Sequence, residues 1–141
     1  MAELHLRVVT PQQTIIDRKV RSVEFMGVDG SYGVMPNHAA LMTATKPGIV
    51  TIHEIDGSVE EMIVTDGFAE VRRNILSLIC EAGELAGEID PERAAAAEAK
   101  ARADIADRTR VDIDLPRAEA ALQRALLRQM LARKKGGTGH V

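Results

Sequence analysis

The sequence predicts a β-sandwich or flattened barrel at the amino end, followed by two α-helices that form an antiparallel hairpin. Two observations about composition lead to this prediction. Residues 1–87 hold eight of the eleven glycines and all three aromatic residues, as is typical of short strands joined by tight turns. Residues 88–141 hold 13 alanines and no glycine before Gly136, which favours helices. We therefore expect a β-domain over residues 1–87.

Alternating apolar and polar residues mark the strands of this first part. Leu4, Leu6 and Val8 alternate with polar neighbours, and the clearest hairpin joins residues 48–55 to residues 58–65. Glycine accepts a positive φ angle and aspartate tolerates it, so Asp-Gly pairs indicate turns. Such pairs occur at Asp29-Gly30, Asp56-Gly57 and Asp66-Gly67. Another hairpin is predicted from Phe68–Arg72, a turn at Arg73-Asn74 and Ile75–Cys80. We expect eight or more short strands.

The second part contains an internal repeat of the form Ile-Asp-x-x-Arg-Ala, which begins at Ile89 and again at Ile113. Aspartate caps a helix and proline is tolerated in the first turn, so helices should begin near Pro91 and Leu115. Small apolar residues at helical spacing predict the faces that pack together. These residues are Ala94, Ala97, Ala101 and Ile105 on the first helix, and Ala118, Leu122, Ala125 and Leu126 on the second. The hairpin is expected over 88–135, connected through 108–112, with a flexible tail at 136–141.

Composition excludes several classes of function. A net charge of −3 and a pI near 5.8 provide no basic field for nucleic acid or anionic lipid, and three aromatic residues are too few for base stacking. No apolar run approaches the roughly 20 residues of a membrane helix, and the amino end does not resemble a targeting segment. We expect a soluble chain with no nucleic-acid partner and no direct membrane insertion.

Catalytic motifs are absent from the sequence. The four histidines do not occur at metal-ligand spacing, and there is neither a nucleophile elbow nor a phosphate-binding loop of the Walker type. Cys80 closes an apolar strand and is interpreted as a core residue. The sequence therefore predicts a protein without enzymatic activity, bound metal or obligatory cofactor.

One candidate interaction feature is the glycine-rich segment 30–41. Its glycines and proline are expected to form tight turns that hold Tyr32, Met35, Asn37 and His38 at one tip. The alternative is an ordinary connecting loop with an incidental histidine.

A second candidate feature is a row of arginines on the second helix. Arg117, Arg124 and Arg128 lie within roughly 40° of one another at 100° per residue. Arg93 and Lys100 add positive charge on the first helix. Guanidinium groups suit phosphate geometry, so the row is a candidate nucleotide site. The alternative is a solvated face paired with neighbouring glutamates.

Together these segments resemble the epsilon subunits of bacterial F-type ATP synthases, and the resemblance covers nearly the whole chain. The segments that carry it are Leu6–Val9, Gly30–Ala39, Lys46-Pro47-Gly48, Gly67–Val71 and the Ile-Asp-x-x-Arg-Ala helix start. The resemblance implies a ten-stranded β-sandwich followed by two α-helices.

The resemblance also implies a role as a rotor subunit of the central stalk in a proton- or sodium-translocating synthase. The sandwich would bind the gamma subunit and sit on the c-ring, and the extended hairpin would block ATP hydrolysis at the catalytic alpha/beta hexamer. Its location would be peripheral, on the cytoplasmic face of the bacterial inner membrane. Two alternatives remain open: a purely structural stalk connector, and a free-standing nucleotide-sensing module.

The resemblance assigns two sets of site residues. Contact with the c-ring is implied for Ser31, Tyr32, Met35, Asn37 and His38. Regulatory ATP binding is implied for Glu84, Ile89, Asp90, Arg93, Ala94, Lys100, Arg124 and Arg128. Relatives often carry an acidic residue at the position of Ser31 and an arginine at that of Lys100. Lysine keeps the charge of arginine but loses its bidentate geometry.

Overall fold

The computed structural model describes residues 3–107 and 114–138, excluding the side chains of 133–138. The chain divides into two compact units, Met1–Leu85 and Ala86–Val141. The first unit contains ten strands, β1 to β10 in chain order: Leu4–Val9, Thr14–Val20, Ser22–Gly27, Gly30–Val34, Leu41–Thr45, Gly48–His53, Val59–Val64, Gly67–Arg72, Ile75–Cys80 and Gly83–Leu85. The second unit contains a 3₁₀ turn, Ala86–Glu88, and helices α1, Pro91–Ala106, and α2, Leu115–Thr138. The predicted β-sandwich followed by two helices is confirmed.

The strands pair in the order β10-β7-β6-β3-β5-β8-β9-β1-β2, and β4 pairs with β3. Every pairing is antiparallel except that of β1 with β9, which is parallel. The link between β3 and β5 is a single residue pair, Gly27 with Thr45. It joins the layer that contains β10, β7, β6 and β3 to the layer that contains β5, β8, β9, β1 and β2.

The sandwich core is aliphatic, as the composition predicts, because the inward positions of the strands are almost all Val, Ile, Leu or Met. Alternation is clearest in β1, where Leu4, Leu6 and Val8 are fully buried. The other core residues are Ile16, Val20, Val23, Phe25, Val34, Val50, Ile52, Met62, Val64, Ala69, Val71, Leu76, Leu78 and Cys80. Burial raises the pKa of the Cys80 thiol to about 11, as befits an unreactive core residue.

The pairs Asp29-Gly30, Asp56-Gly57 and Arg73-Asn74 lie at hairpin turns, as predicted. The turn predicted at Asp66-Gly67 is not found, because Gly67 begins β8 and β7 does not pair with β8. Gly57 adopts φ 91° between β6 and β7. Between β8 and β9, Arg73 and Asn74 adopt φ angles of 52° and 63°. Two consecutive positive φ angles in a two-residue loop match the twist of a tight β-hairpin.

Both helices begin at an aspartate cap, as the repeat predicts. The Asp90 carboxylate accepts hydrogen bonds from the amides of Glu92 and Arg93, at 3.0 and 3.4 Å. The Asp114 carboxylate accepts one from the amide of Arg117 at 3.2 Å. Each cap satisfies backbone donors that the first helical turn leaves without partners.

The two helices pack along a seam of small residues. Ala94, Ala101, Ala118 and Ala125 are buried there. Leu126 was expected in the seam but is 39% exposed. The reason is the 4-3-4 spacing of the buried face, which continues from Ala118 through Leu122 and Ala125 to Gln129 and leaves position 126 on the outer side.

Gln129 forms a polar contact within this seam. Its side-chain amide donates to Glu98 Oε1 at 2.5 Å, and Glu98 also accepts a 2.7 Å hydrogen bond from Arg102 Nε. Glu98 and Gln129 lie on opposite sides of the connection between the helices, as an antiparallel pair requires.

The carboxyl end differs from the prediction of a tail over 136–141, because α2 continues to Thr138. Glycine costs about 1 kcal/mol in a helix, and the preceding turns can propagate through two of them. Residues 139–141 and the connection at 108–112 lie outside the described residues.

Gly67 lies where β8 approaches β9 too closely for a side chain. A Cβ atom at this position would overlap the Ile79 carbonyl oxygen, which belongs to the backbone and cannot move aside. We expect Gly67→Ala to lower the free energy of unfolding by about 2–3 kcal/mol through overpacking. Gly33→Ala is the matched control, because no atom lies within 4 Å of a Cβ there. Urea denaturation measures both, and equal stability of the two variants would contradict the close approach.

Candidate functional site

Ser31 and Tyr32 lie within β4, where Ser31 pairs with Met26. The Tyr32 ring stacks on Phe25 with ring centroids 5.4 Å apart. The Tyr32 hydroxyl donates to the Asp29 carboxylate at 2.9 Å, and this hydrogen bond raises the pKa of Tyr32. These contacts hold the tyrosine against the β3–β4 hairpin.

Met35, Asn37 and His38 lie in the loop that follows the other end of β4. Met35 is 68% exposed, Asn37 adopts φ 64°, and the His38 amide donates to the Met35 carbonyl at 3.2 Å. The prediction that Tyr32, Met35, Asn37 and His38 share one tip is therefore corrected, because Tyr32 lies within β4 and the other three follow it. A strand advances about 3.3 Å per residue, so β4 separates Ser31 from Met35 by about 13 Å.

The sequence alone did not predict an apolar surface on the outer side of β5, β8 and β9. Met42, Phe68 and Ile79, which we call the apolar face, are 68%, 58% and 52% exposed. Phe68 lies directly opposite Ile79 in the β8–β9 pairing. Strand β9 carries apolar residues on both faces at its end, where exposed Ile79 lies between buried Leu78 and Cys80, and this short apolar run was the signal available in the sequence. Exposed large apolar side chains that adjoin one another typically mark an interaction surface.

A shallow groove of about 300 Å³ borders the apolar face at Met42. It opens between β5 and β8, beside the loop that carries His38. Its lining residues are Ala40, Leu41, Met42, Glu70, Val71 and Arg72. The groove thus connects the loop with the apolar face.

Four residues of the nucleotide set lie at the start of α1. Ile89 and Ala94 are buried, whereas Asp90 and Arg93 are exposed. The Asp90 carboxylate already accepts the two cap hydrogen bonds, so the structure gives it a role in helix initiation. It retains lone pairs for a further donor.

The remaining cations of the set lie farther along the two helices. Lys100 is two turns beyond Arg93 and forms an exposed ion pair with Asp104 at 3.7 Å. Arg124 and Arg128 are half-buried one turn apart on α2, in the same helix as Arg117. The predicted spacing of the row on one continuous helix is confirmed.

Glu84 lies on β10, where it pairs with Ile63 of β7. It therefore belongs to the first unit, whereas the other seven residues of the nucleotide set belong to the second.

No group of three His, Cys, Asp or Glu side chains that could hold a metal occurs within residues 3–107 and 114–132, whose side chains are described. His5 pairs with Asp17, and His53 pairs with Glu24 at 3.3 Å, both across neighbouring strands of the sandwich. The helices in the described part of the chain are not long and apolar enough to span a membrane.

Comparison with solved structures shows the same fold in distant proteins. A chain of the Euglena gracilis mitochondrial ATP synthase, solved as OSCP/F1/c-ring, matches with a TM-score of 0.68 at 19% identity. The match covers 99% of this chain and 83% of that one. A chain of the Tetrahymena thermophila mitochondrial central stalk and c-ring matches with a TM-score of 0.52 at 15% identity, covering 94% and 95%.

Comparison of sequences shows the family. Residues 3–86 match the family model of the ATP synthase delta/epsilon chain β-sandwich domain. The ATP synthase epsilon chain of Symbiobacterium thermophilum is 39% identical over 91% of each chain. That of Moorella thermoacetica is 34% identical over 91% of this chain and 95% of the relative. The chain therefore belongs to the family of ATP synthase epsilon chains, which are non-catalytic subunits of the synthase.

Proposed function

We propose that this chain couples the gamma subunit to the c-ring in a proton- or sodium-translocating synthase, and that its helical hairpin inhibits ATP hydrolysis under the control of bound ATP. The observation that supports the proposed coupling role is the apolar face of the sandwich. The complex would hold the chain peripherally at the cytoplasmic face of the bacterial inner membrane.

The apolar face is the surface we assign to gamma. Met42, Phe68 and Ile79 are costly to leave in water, and a partner that covers them gains about 25 cal/mol for each Å² of apolar area buried. The adjoining groove has both Glu70 and Arg72 in its lining, so polar groups border the apolar centre. An apolar centre with a polar rim is the usual arrangement of a stable protein interface.

Contact with the c-ring is assigned to the loop that carries Met35, Asn37 and His38, together with Ser31 and Tyr32 on β4. Serine at position 31 cannot form a salt bridge, so a charge interaction at that position is not part of the proposal. The exposed Met35 and the His38 imidazole supply apolar and hydrogen-bonding contacts for the polar loops of the ring.

Replacing Phe68 tests the assignment of the apolar face. We expect Phe68→Ser to weaken binding to an F1 complex depleted of this subunit by about 30-fold, because an aromatic anchor typically contributes about 2 kcal/mol. Val59→Ser is the matched control, since Val59 is 56% exposed on β7, away from this face. Surface plasmon resonance measures both affinities. Equal affinities would contradict the assignment of Phe68 to the gamma interface.

Inhibition is assigned to α1 and α2. Alanine side chains bury little apolar area, so the packing of the hairpin adds little stability of its own. A pair of helices held in this way is suited to change between a folded form and one extended along gamma toward the alpha/beta hexamer. Residues 88–141 carry 11 basic and 9 acidic side chains, a balance that favours docking on acidic surface.

ATP binding is assigned to the folded form of the hairpin. Arg124 and Arg128 would face the phosphates, and Asp90 and Arg93 the adenosine end. If ATP binds the folded form alone, a concentration 100 times its dissociation constant favours that form by about 2.7 kcal/mol. Falling ATP would release the hairpin and stop hydrolysis, so the chain would act as an energy sensor.

Titration calorimetry of ATP and then ADP into the full chain tests nucleotide sensing. We expect saturable binding that prefers ATP and weakens at least about tenfold in Arg124→Ala, because a hydrogen bond to a charged group contributes about 1.5–3 kcal/mol. Arg117→Ala is the matched control, since Arg117 lies in the same row but outside the assigned set. An absence of binding at millimolar ATP would leave a purely structural connector.

Truncation after Gly87 tests the inhibitory role. The truncated chain retains all ten strands, so we expect it to assemble and to support proton pumping. Hydrolysis by the purified complex should rise severalfold once the hairpin is removed. Unchanged hydrolysis would contradict inhibition by the hairpin, and failure to purify with gamma would favour a free-standing nucleotide-sensing module.

A further inference from the structure

Asn74, in the turn between β8 and β9, is hydrogen-bonded to two other segments of the sandwich. Its side-chain oxygen accepts a hydrogen bond from the Asn37 amide at 2.8 Å. Its side-chain nitrogen donates to the Glu3 carbonyl at 2.7 Å, and its backbone carbonyl accepts from the His5 amide at 3.1 Å. One residue therefore connects the 35–40 loop with the amino end, where Glu3 leads into β1.

The turn holds Asn74 in a fixed place. Arg72 and Ile75 pair on either side of it, and both residues between them have positive φ angles. Asparagine tolerates this left-handed conformation better than most residues. The side chain is half-buried, so its rotamer is restricted by its neighbours as well as by its two hydrogen bonds.

The loop has little else to hold it. Its other hydrogen bonds within the described part of the chain are local, from the His38 amide to Met35 and between the His38 ring and Ala39. Met35 is exposed and adds little packing. Among the described residues, the bond from Asn37 to Asn74 is the one that ties residues 35–39 to another part of the sandwich.

We propose that Asn74 is a positioning residue, which holds the 35–40 loop in the orientation that the c-ring contact requires. The proposal rests on the ring-contact function proposed above for this loop. Asparagine supplies the acceptor, the donor and the left-handed backbone together. Aspartate keeps only the acceptor and tolerates the backbone, whereas glycine keeps only the backbone.

Amide hydrogen exchange on the full chain tests whether Asn74 holds the loop. We expect exchange at the Asn37 amide to rise about tenfold in Asn74→Gly, as for loss of one hydrogen bond, while the core amides of Val8 and Val71 keep their protection. Asn74→Asp should retain slow exchange because the acceptor remains. Arg73→Gly is the control in the same turn. Exchange at Asn37 that is unchanged in Asn74→Gly would overturn the proposal.

Proton pumping per ATP hydrolysed, measured on complexes reconstituted in vesicles, tests the consequence for coupling. We expect about a twofold or greater loss in Asn74→Gly and wild-type values in Asn74→Asp and Arg73→Gly. Met35→Ser separates the two proposals. If Met35→Ser lowers coupling and Asn74→Gly does not, the positioning role is overturned alone. If neither variant lowers coupling, the ring-contact function of the loop is overturned, and the positioning role falls with it.

Discussion

The parallel pairing of β1 with β9 is the contact on which the rest of the sandwich depends. It joins the first strand to the ninth, so the β1–β2 hairpin extends the layer formed by β5, β8 and β9. On the inner side, it brings Leu6 and Val8 beside Leu76 and Leu78, in the centre of the core. It also places the amino end next to the β8–β9 turn, where Asn74 can reach two segments at once. The packing at the centre of the core and the position of Asn74 beside the 35–40 loop thus both follow from the register of one strand pair.

The two units differ in how they are stabilised, and the difference matches the functions proposed for them. The sandwich has a continuous aliphatic core and a ladder of backbone hydrogen bonds that runs through all ten strands. The described residues of the helices pack through a seam of alanines that includes a polar contact between Glu98 and Gln129. A polar pair between helices defines their register but adds little net stability. A rigid unit suits a permanent coupling surface, and a weakly packed one suits a regulatory switch.

Asp90 and Asp114 have the same local structural role, and a regulatory role is proposed for Asp90 alone. Each caps its helix through backbone amides, which explains the repeat without reference to any ligand. Nucleotide binding is proposed for Asp90 but not for Asp114. Lys100 illustrates the same overlap, because its exposed pair with Asp104 is weak and would be exchanged readily for a phosphate. The structural contacts of Asp90 and Lys100 are therefore compatible with the nucleotide binding proposed for both residues.

The sequence by itself determined the elements: strand alternation, the Asp-Gly and Arg-Asn turns and both helix caps are local, and each depends on residues a few positions apart. It also indicated the family, from motifs that lie in order along the chain. Only the tertiary structure decided what depends on contacts between distant segments. The apolar face requires Phe68 and Ile79 to be neighbours across two strands, and Asn74 reaches Asn37 and Glu3 only because strand pairing brings their segments together. It also separated Ser31 from the 35–40 loop, because Gly30–Val34 forms an extended strand against β3 and Ser31 lies near its beginning, whereas the loop follows its end.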